Sequence, residues 1–261
     1  MQIGIIGVGM VGGAMRHGFN LIGREVLVHD PRLPGTTLAD PLKAPIAFVC
    51  VPTPARKDGS CDVSIVEKVV GEIAKKKYKG LVAIKSTVEP GTTDRLAKKY
   101  PKLRLAFCPE FLREKAAFSD FTENHDVCIV GTKSKKDFEL VKQAHDPLPK
   151  QYAQVAPIEA EIAKYFFNAF NALRIVYANQ FFDLCKALGA DYNAMKNAMT
   201  KHRFMPETYL ACHENLRGFG GACLPKDTSA LVELAKRITK GKTPLFEAIV
   251  ETNKLYRTTV L

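Results

Sequence analysis

The chain has 261 residues, of which 46% are hydrophobic, 25% charged and 9% aromatic, a globular balance that excludes disordered, collagen-like and coiled-coil classes. That length suits about two domains, and no apolar run approaches the roughly 18 residues that cross a bilayer, so no membrane partner is expected. The net charge of +11 has two readings, a solvated lysine surface or a field that draws in an anionic substrate; basic and aromatic residues do not interleave, so no nucleic-acid partner is expected.

The chain begins directly in a strand pattern, with no basic segment or cleavage site of a secretory signal. Candidate strands are Ile3–Ile6, Val26–His29, Ile46–Val51, Leu81–Lys85, Leu103–Phe107 and Val127–Val130. Amphipathic stretches such as Val63–Lys76 and Thr92–Lys99 lie between them. Strands alternating with helices predict a parallel sheet covered by helices. Beyond Pro157 the period changes. Apolar residues recur at 158, 162, 166, 170, 173, 177, 181, 184 and 188, with no proline or glycine until Gly189. Steps of three and four predict one helix over Ile158–Leu188, roughly 45 Å long. Further helices are predicted over Tyr192–Met199, Asp227–Ile238 and Leu245–Tyr256. The fold class is therefore α/β: a Rossmann-type doubly wound parallel sheet, followed by an all-helical domain with one long helix. Pro147, Pro149 and Pro157 mark the joint, giving domains 1–150 and 151–261. The seven cysteines, at 50, 61, 108, 128, 185, 212 and 223, form no C-x-x-C pair. That spacing offers no evident zinc site or disulfide framework, so no metal is expected and a reducing cytoplasm is.

Gly7-Val8-Gly9-Met10-Val11-Gly12 follows the first strand and opens a helical pattern. The first glycine permits a tight turn, the second lets backbone approach a pyrophosphate, and the third lets helix pack on strand. The helix N-terminus then points amides at the phosphates. A second strand ends at Asp30, where a carboxylate accepts from ribose hydroxyls and repels a 2′-phosphate. NAD is the expected cofactor, with Arg32 beside Asp30 as the feature that argues for NADP.

Gly218-Phe219-Gly220-Gly221-Ala222-Cys223-Leu224-Pro225-Lys226-Asp227 is the most unusual segment. Its glycines make an open loop, and Pro225 is placed to start a helix. Cys223 then precedes a helix N-terminus with Lys226 one turn away, and both features favour a thiolate. The plainer alternative is a helix start with a small buried cysteine and Asp227 as a dipole-compensating acid. A glycine run and a Lys-Asp pair flanking the cysteine, beside a dinucleotide domain, favour chemistry.

Taken with Val51-Pro52-Thr53-Pro54, Lys85-Ser86-Thr87-Val88, Pro109-Glu110-Phe111-Leu112-Arg113-Glu114 and a helix bearing Lys164 and Asn168, this loop resembles the UDP-glucose/GDP-mannose dehydrogenase family. The resemblance covers nearly all of the chain but the first two of the family's three domains, so the C-terminal domain that grips the nucleotide is expected to be missing. It implies oxidation of a nucleotide-sugar C6 alcohol to a carboxylate with two NAD, of the UDP-glucose to UDP-glucuronate type. Cys223 would hold the aldehyde as a thiohemiacetal and then a thioester. By the same resemblance Asp227 and Thr87 position or deprotonate the water or alcohol, and Lys164 and Asn168 stabilise charge on the substrate oxygen. Glu110 resembles the acid–base glutamate of thioester hydrolysis. Glu114 and Lys226 resemble residues that contact substrate or cofactor. Val51, Pro52, Thr53, Ser86 and Thr87 resemble cofactor-lining positions. Phe111, Leu112, Arg113, Phe219, Gly220 and Gly221 join the expected substrate contacts. The family usually carries an arginine that reaches a neighbouring active site, a place that Arg203 or Arg217 could take.

Each residue also has a plainer reading. Lys164 and Asn168 could form an exposed helical stripe, Ser86 and Thr87 could cap the following helix, and Glu110 and Glu114 could lie in a solvated loop. Two other functions stay open: an NAD-linked oxidoreductase of another alcohol with Lys164 as base, and a non-catalytic NAD-binding or assembly module. Phe166, Phe167, Phe170, Val176, Phe181 and Phe182 do not share one stripe of the long helix. A helix apolar on several sides must be covered on several sides, which predicts a homodimer.

Overall fold

Two four-residue strands, β3 (Ile46–Val49) and β4 (Leu81–Ile84), are apolar and buried at every position. Strands of that kind form only where both sheet faces are covered. The computed structural model describes residues 1–256 and resolves into two compact units. The first holds Met1–Pro54 and Asp62–Lys164; the second holds Ala55–Cys61 and the chain from Tyr165 on.

In the first unit β3 and β4 sit inside a seven-stranded sheet. Its other strands are β1 (Gln2–Ile6), β2 (Glu25–His29), β5 (Arg104–Phe107), β6 (Val127–Gly131) and β7 (Gln151–Val155), in the order β2-β1-β3-β4-β5-β6-β7. The six expected strands all form. The first five run parallel, with Ile5 opposite both Val28 and Phe48. β6 reverses against β5 through the pair Phe107–Gly131, and β7 runs parallel to β6. Between β5 and β6 stand a single 3-10 turn and α4 (Ala117–Thr122). β7 is an additional strand: its sequence QYAQV lies among the joint prolines and has no run of apolar residues that would mark it.

Helices α1 (Met10–Leu21), α2 (Ser64–Lys75), α3 (Thr92–Lys99) and α5 (Lys135–His145) cover the sheet. Phe19, Phe48 and Phe121 are fully buried in its core. Because β1 lies between β2 and β3, the winding reverses at β1/β3. Ligands of such sheets bind in the crevice beyond the strands' carboxyl ends at that point. Gly7–Gly12 follows β1, Cys50–Thr53 follows β3, Lys85–Thr87 follows β4 and Cys108–Glu110 follows β5.

The second unit is helical: most of α6 (Pro157–Ala187), then α7 (Tyr192–Met199), α8 (Leu224–Thr239) and α9 (Pro244–Asn253). Gly189, at φ +68°, ends the run as a left-handed C-terminal glycine does. Asp191 then caps α7 by accepting from the Asn193 and Ala194 amides at 2.7 and 3.2 Å, the usual N-cap arrangement.

The long helix forms as expected, and its faces differ sharply in exposure. The expected apolar row holds the exposed positions: Ile158, Ile162, Phe166, Phe170, Tyr177, Leu184 and Leu188, with Phe166 at 73%. The buried side carries Glu161, Lys164, Asn168, Asn171 and Asn179 among alanines. Phe167, Phe181 and Phe182 are half-buried and Val176 is buried. Among the described residues no helix is long and apolar enough to cross a membrane.

Candidate active site

The glycine loop has the shape its sequence calls for. Gly7 adopts φ +91°, and a Cβ there would meet the Cys50 carbonyl oxygen at 2.6 Å. A Cβ on Gly12 would lie 2.0 Å from the Gly7 carbonyl oxygen, so α1 packs against the turn only with glycine. Gly9 is the opposite case: nothing lies within 4 Å of its Cβ direction. It is the N-cap of α1, with no side-chain cap and no acidic residue in the first turn. An open backbone at an unneutralised helix N-terminus fits a pyrophosphate. Asp30, at the end of β2, is buried and accepts from the Val8 amide at 2.8 Å. It also accepts from the Arg32 amide at 2.9 Å and from its guanidinium at 3.0 Å. The Arg32 hydrogen bond first, then the Val8 amide, holds Asp30 well below the usual carboxylate range against the opposing effect of burial. A carboxylate accepts several donors, so these bonds leave capacity for ribose hydroxyls. These residues fit a dinucleotide.

At the neighbouring strand ends, Ser86 donates to the Val51 carbonyl at 2.7 Å, tying the end of β4 to the end of β3. Ser86 and Thr87 do not cap the following helix. That task falls to Glu161, which accepts from the Gly91 amide at 2.5 Å and from the Thr93 amide and hydroxyl at 2.8 and 2.6 Å. Thr53 is buried, Val51 and Thr87 are half-buried and Pro52 is exposed.

After β5, Glu110 is buried against Lys164, whose Nζ donates to its Oε1 at 2.9 Å and to its carbonyl at 2.7 Å. Glu110 Oε2 accepts the Leu112 amide at 2.8 Å, and Lys164 stands over the Phe111 ring. Burial alone would raise the Glu110 carboxyl. The Lys164 charge and hydrogen bond, then the Leu112 amide and the Lys85 charge, bring it below the ordinary glutamate value of 4.5. Glu110 is thus a buried carboxylate and not part of a solvated loop. Arg113 folds back on Asp120, donating from Nε at 2.9 Å and Nη2 at 2.6 Å. Glu114 is exposed.

In the second unit Cys223 is the half-buried N-cap of α8, with Pro225 in the first turn. Asp227, one turn on, is 2% exposed. It accepts from Asn168 Nδ2 at 2.5 Å and from Lys226 Nζ at 2.5 Å. The glycine loop before Cys223 is pinned at Phe219, whose backbone exchanges two hydrogen bonds with the Asn253 side chain at 2.7 and 2.9 Å. The Phe219 ring is buried with Ala172, Val176 and Ile249. Gly220 is half-buried and Gly221 exposed, so the loop is anchored at one side and open at the other. Arg217 donates to Asn179 at 2.6 Å and to both Asp183 oxygens at 2.7 Å, while Arg203 is exposed.

Lys164 and Asn168 are 3% and 4% exposed, not a solvated stripe. One turn apart on α6, each holds a carboxylate, Glu110 and Asp227. Two features had no role in the sequence reading. Lys85, buried after β4, donates to Cys108 Sγ at 3.5 Å and to the Pro109 carbonyl at 3.3 Å, which braces the turn before Glu110. The signal was a lysine ending an otherwise apolar strand. Glu161, the α3 cap, stands among the apolar residues of a helix with nothing local to name its partner.

Residues 30–149 match the family model described as "UDP-glucose/GDP-mannose dehydrogenase family, NAD binding domain". Residues 158–255 match the model of the same family's central domain. The UDP-glucose 6-dehydrogenase AglM of Haloferax volcanii is 30% identical over an alignment spanning 97% of this chain and 69% of that protein. The chain belongs to the UDP-glucose/GDP-mannose dehydrogenase family. A second relative, the UDP-glucose 6-dehydrogenase TuaD of Bacillus subtilis, is 33% identical over 222 residues, 81% of this chain and 47% of that protein. The chain thus spans about half that relative's length. The solved structure of a UDP-glucose dehydrogenase from the archaeon Pyrobaculum islandicum superposes with a TM-score of 0.86 at 26% identity, over 97% of this chain and 68% of the other.

The two matches divide the candidate residues of this UDP-glucose/GDP-mannose dehydrogenase family member. The first begins at Asp30 and includes Glu110; the glycine cradle precedes it. The second includes Lys164, Asn168, Cys223, Lys226 and Asp227.

Proposed function

We propose that this chain carries the chemistry of an NAD-dependent nucleotide-sugar 6-dehydrogenase, oxidising UDP-glucose to UDP-glucuronate. The observation that carries this reading is Cys223 at the start of α8, one turn before a buried Asp227 held by Asn168 and Lys226. A two-electron alcohol oxidation has no use for a thiol there, whereas oxidation to the acid can pass through a thioester on one. In this reading residues 1–150 bind NAD through Gly7–Gly12, Asp30 and the strand-end residues Val51, Pro52, Thr53, Ser86 and Thr87. Residues 151–261 form the central and dimerisation domain.

NAD, when bound, supplies the hydride acceptor for both oxidations. Asp227 and Thr87 take or orient the proton of the C6 alcohol. Lys164 and Asn168 stabilise negative charge on the substrate oxygen. Cys223 adds to the aldehyde, forming a C–S bond while the carbonyl oxygen takes a proton, and the thiohemiacetal gives up the second hydride together with that hydroxyl proton, which returns to Asp227, to become a thioester. The partial positive charge at the α8 N-terminus favours the thiolate needed to attack and the thiolate that later leaves. Glu110, ionised at neutral pH because Lys164 and the Leu112 amide hold it so, removes a proton from the water that attacks the thioester. The C–S bond then breaks and the carboxylate is released. Phe111 to Glu114, Phe219 to Gly221 and Lys226 contact the substrate or cofactor.

We further propose a homodimer built on the exposed row of α6. Phe166, Phe170 and Tyr177 stand 73%, 45% and 47% exposed, and a helix that turns apolar residues outward calls for cover. The scattered cysteines fit a reducing cytoplasm.

The test is incubation with UDP-glucose and NAD, following NADH absorbance and counting NADH per sugar. Two NADH per UDP-glucuronate are expected. One NADH per sugar, with Cys223→Ser fully active, would replace this reading with a two-electron dehydrogenase. No turnover with UDP-glucose, GDP-mannose or UDP-N-acetyl sugars would reject it.

A further inference from the structure

Three side chains with metal-binding atoms meet in the core of the first unit. Cys108 follows β5, Cys128 stands on β6 and His145 ends α5. Their two sulfurs and one imidazole nitrogen all lie within 4.8 Å of one another, and all three residues are buried. The sulfurs are 3.7 Å apart. Two thiolates sharing one ion at metal–sulfur bonds of about 2.3 Å stand roughly 3.8–4.0 Å apart.

His145 supplies the second observation. Its Nδ1 is 2.9 Å from the Val141 carbonyl, which fixes the proton there and leaves Nε2 with a lone pair, as the carbonyl partners of metal-bound histidines do. Nε2 is buried and has no hydrogen-bond partner among the described residues. Phe19, Phe48 and Phe121 pack around the imidazole, with ring centroids 5.1, 5.3 and 5.9 Å away. A polar atom stranded in such a setting asks for a partner, and those rings offer none.

We propose that Cys108, Cys128 and His145 form a structural site for a thiophilic, closed-shell metal ion, specifically Cu(I). Thiolate and imidazole donors select ions of this softness. Charge and donor number choose among them. Lys85, buried, lies 3.5 Å from Cys108 Sγ. Two thiolates and one ammonium sum to a single negative charge, which a monovalent ion cancels. Zn(II) would leave a net positive charge where charge is costly. Zinc in structural sites also takes four ligands, and no fourth cysteine, histidine or carboxylate joins the group among the described residues. A Cys108–Cys128 disulfide satisfies less: it leaves Nε2 stranded and removes the sulfur charge beside Lys85. The ion has a mechanical consequence. β5 and β6 share one pair, Phe107–Gly131, so a clamp across Cys108, Cys128 and His145 braces the thinnest junction of the sheet.

The experiment offers the whole chain Cu(I) or Zn(II) from competing chelators without oxygen, once to folded protein and once during refolding. One Cu(I) per chain is expected, with thiolate-to-metal absorption in the ultraviolet and X-ray absorption reporting two sulfurs and one nitrogen. Cys108→Ser and Cys128→Ser should weaken Cu(I) at least a hundredfold; Cys185→Ser should not. Should either serine variant fail to fold, the coordination in the wild-type protein decides, and any set other than two sulfurs and one nitrogen overturns the proposal. So do absence of bound copper by both routes, unchanged binding in folded Cys128→Ser, tighter retention of Zn(II) than of Cu(I), and a Cys108–Cys128 disulfide in protein isolated without oxygen.

Discussion

Replacing Lys164 by methionine keeps the length of the side chain and removes its ammonium. That group lies 2.9 Å from Glu110 Oε1, and the two side chains are 4% and 8% exposed. It also donates to the Glu110 carbonyl at 2.7 Å. Lys164→Met therefore leaves a buried carboxylate without its principal counter-charge. Breaking a buried pair from one side costs about 3–5 kcal/mol. For a chain of this size each kcal/mol lowers the melting temperature by about 2–4 °C, so the variant should melt roughly 6–20 °C below wild type in calorimetry at neutral pH. Removing both charges is a different perturbation. Lys164→Met with Glu110→Gln leaves no stranded ion, and residues in direct contact couple by about 0.5–3 kcal/mol. The double variant should be more stable than the sum of the singles by an amount in that range.

The pH dependence gives an independent sign. Glu110 titrates below 4.5 in the folded chain, so its contribution is fully present above 4.5 and is lost as pH falls below it. In Lys164→Met the unpaired carboxyl is pushed upward by burial and takes its proton at higher pH. The gap between wild type and variant should thus be widest near neutrality and close on acidification. A cost below about 1 kcal/mol, strictly additive single variants, or a gap that does not change with pH would refute the reasoning.

Asp30→Ala should weaken NAD at least about tenfold, since a hydrogen bond to a charged acceptor contributes about 1.5–3 kcal/mol, and should relax discrimination against NADP; unchanged NAD affinity by calorimetric titration would contradict the assignment. Cys223→Ser should stop acid formation or stall at an ester, because a hydroxyl is a far weaker nucleophile than a thiolate; mass spectrometry of quenched wild-type enzyme should find sugar on Cys223 and on no other cysteine. Phe170→Glu or Tyr177→Glu should convert a dimer burying more than roughly 2,000 Å² into a monomer or aggregate, and a wild-type chain that sediments as a monomer at micromolar concentration would remove the basis for that expectation. Gly12→Ala should prevent folding of the first unit or abolish NAD binding, because its Cβ would meet a backbone oxygen at 2.0 Å that no rotamer change can relieve.

What the sequence disclosed was whatever depends on neighbours along the chain. β3 and β4 are legible because four consecutive apolar residues in a strand mean cover on both faces. The glycine cradle is legible because turn, approach and packing each leave their own mark at a fixed spacing. β7 was hidden because an edge strand reading QYAQV needs no apolar face of its own. The Cys108, Cys128 and His145 group was hidden because its members come from three elements and no local spacing joins them.

The long helix shows the limit most clearly. Periodicity in α6 fixes the angle between its faces and not which of them turns inward. Most of the apolar row is exposed, and the buried face holds Glu161, Lys164 and Asn168. The reason is electrostatic. Glu110 and Asp227 are carboxylates buried at 8% and 2% exposure, and each needs a donor that is itself withdrawn from water. Lys164 and Asn168 are those donors, and a helix cannot present them and Phe166, Phe170 and Tyr177 to the same side. Once the polar face is committed inward, Phe166, Phe170 and Tyr177 must point outward, whatever their hydrophobicity favours. Within the second unit, the Asn168–Asp227 bond and the exposed row proposed for the dimer therefore lie on opposite sides of α6. A polar substitution on the outer row should disturb assembly with the Glu110 and Asp227 hydrogen bonds intact, while an apolar one at Lys164 or Asn168 should disturb those bonds first.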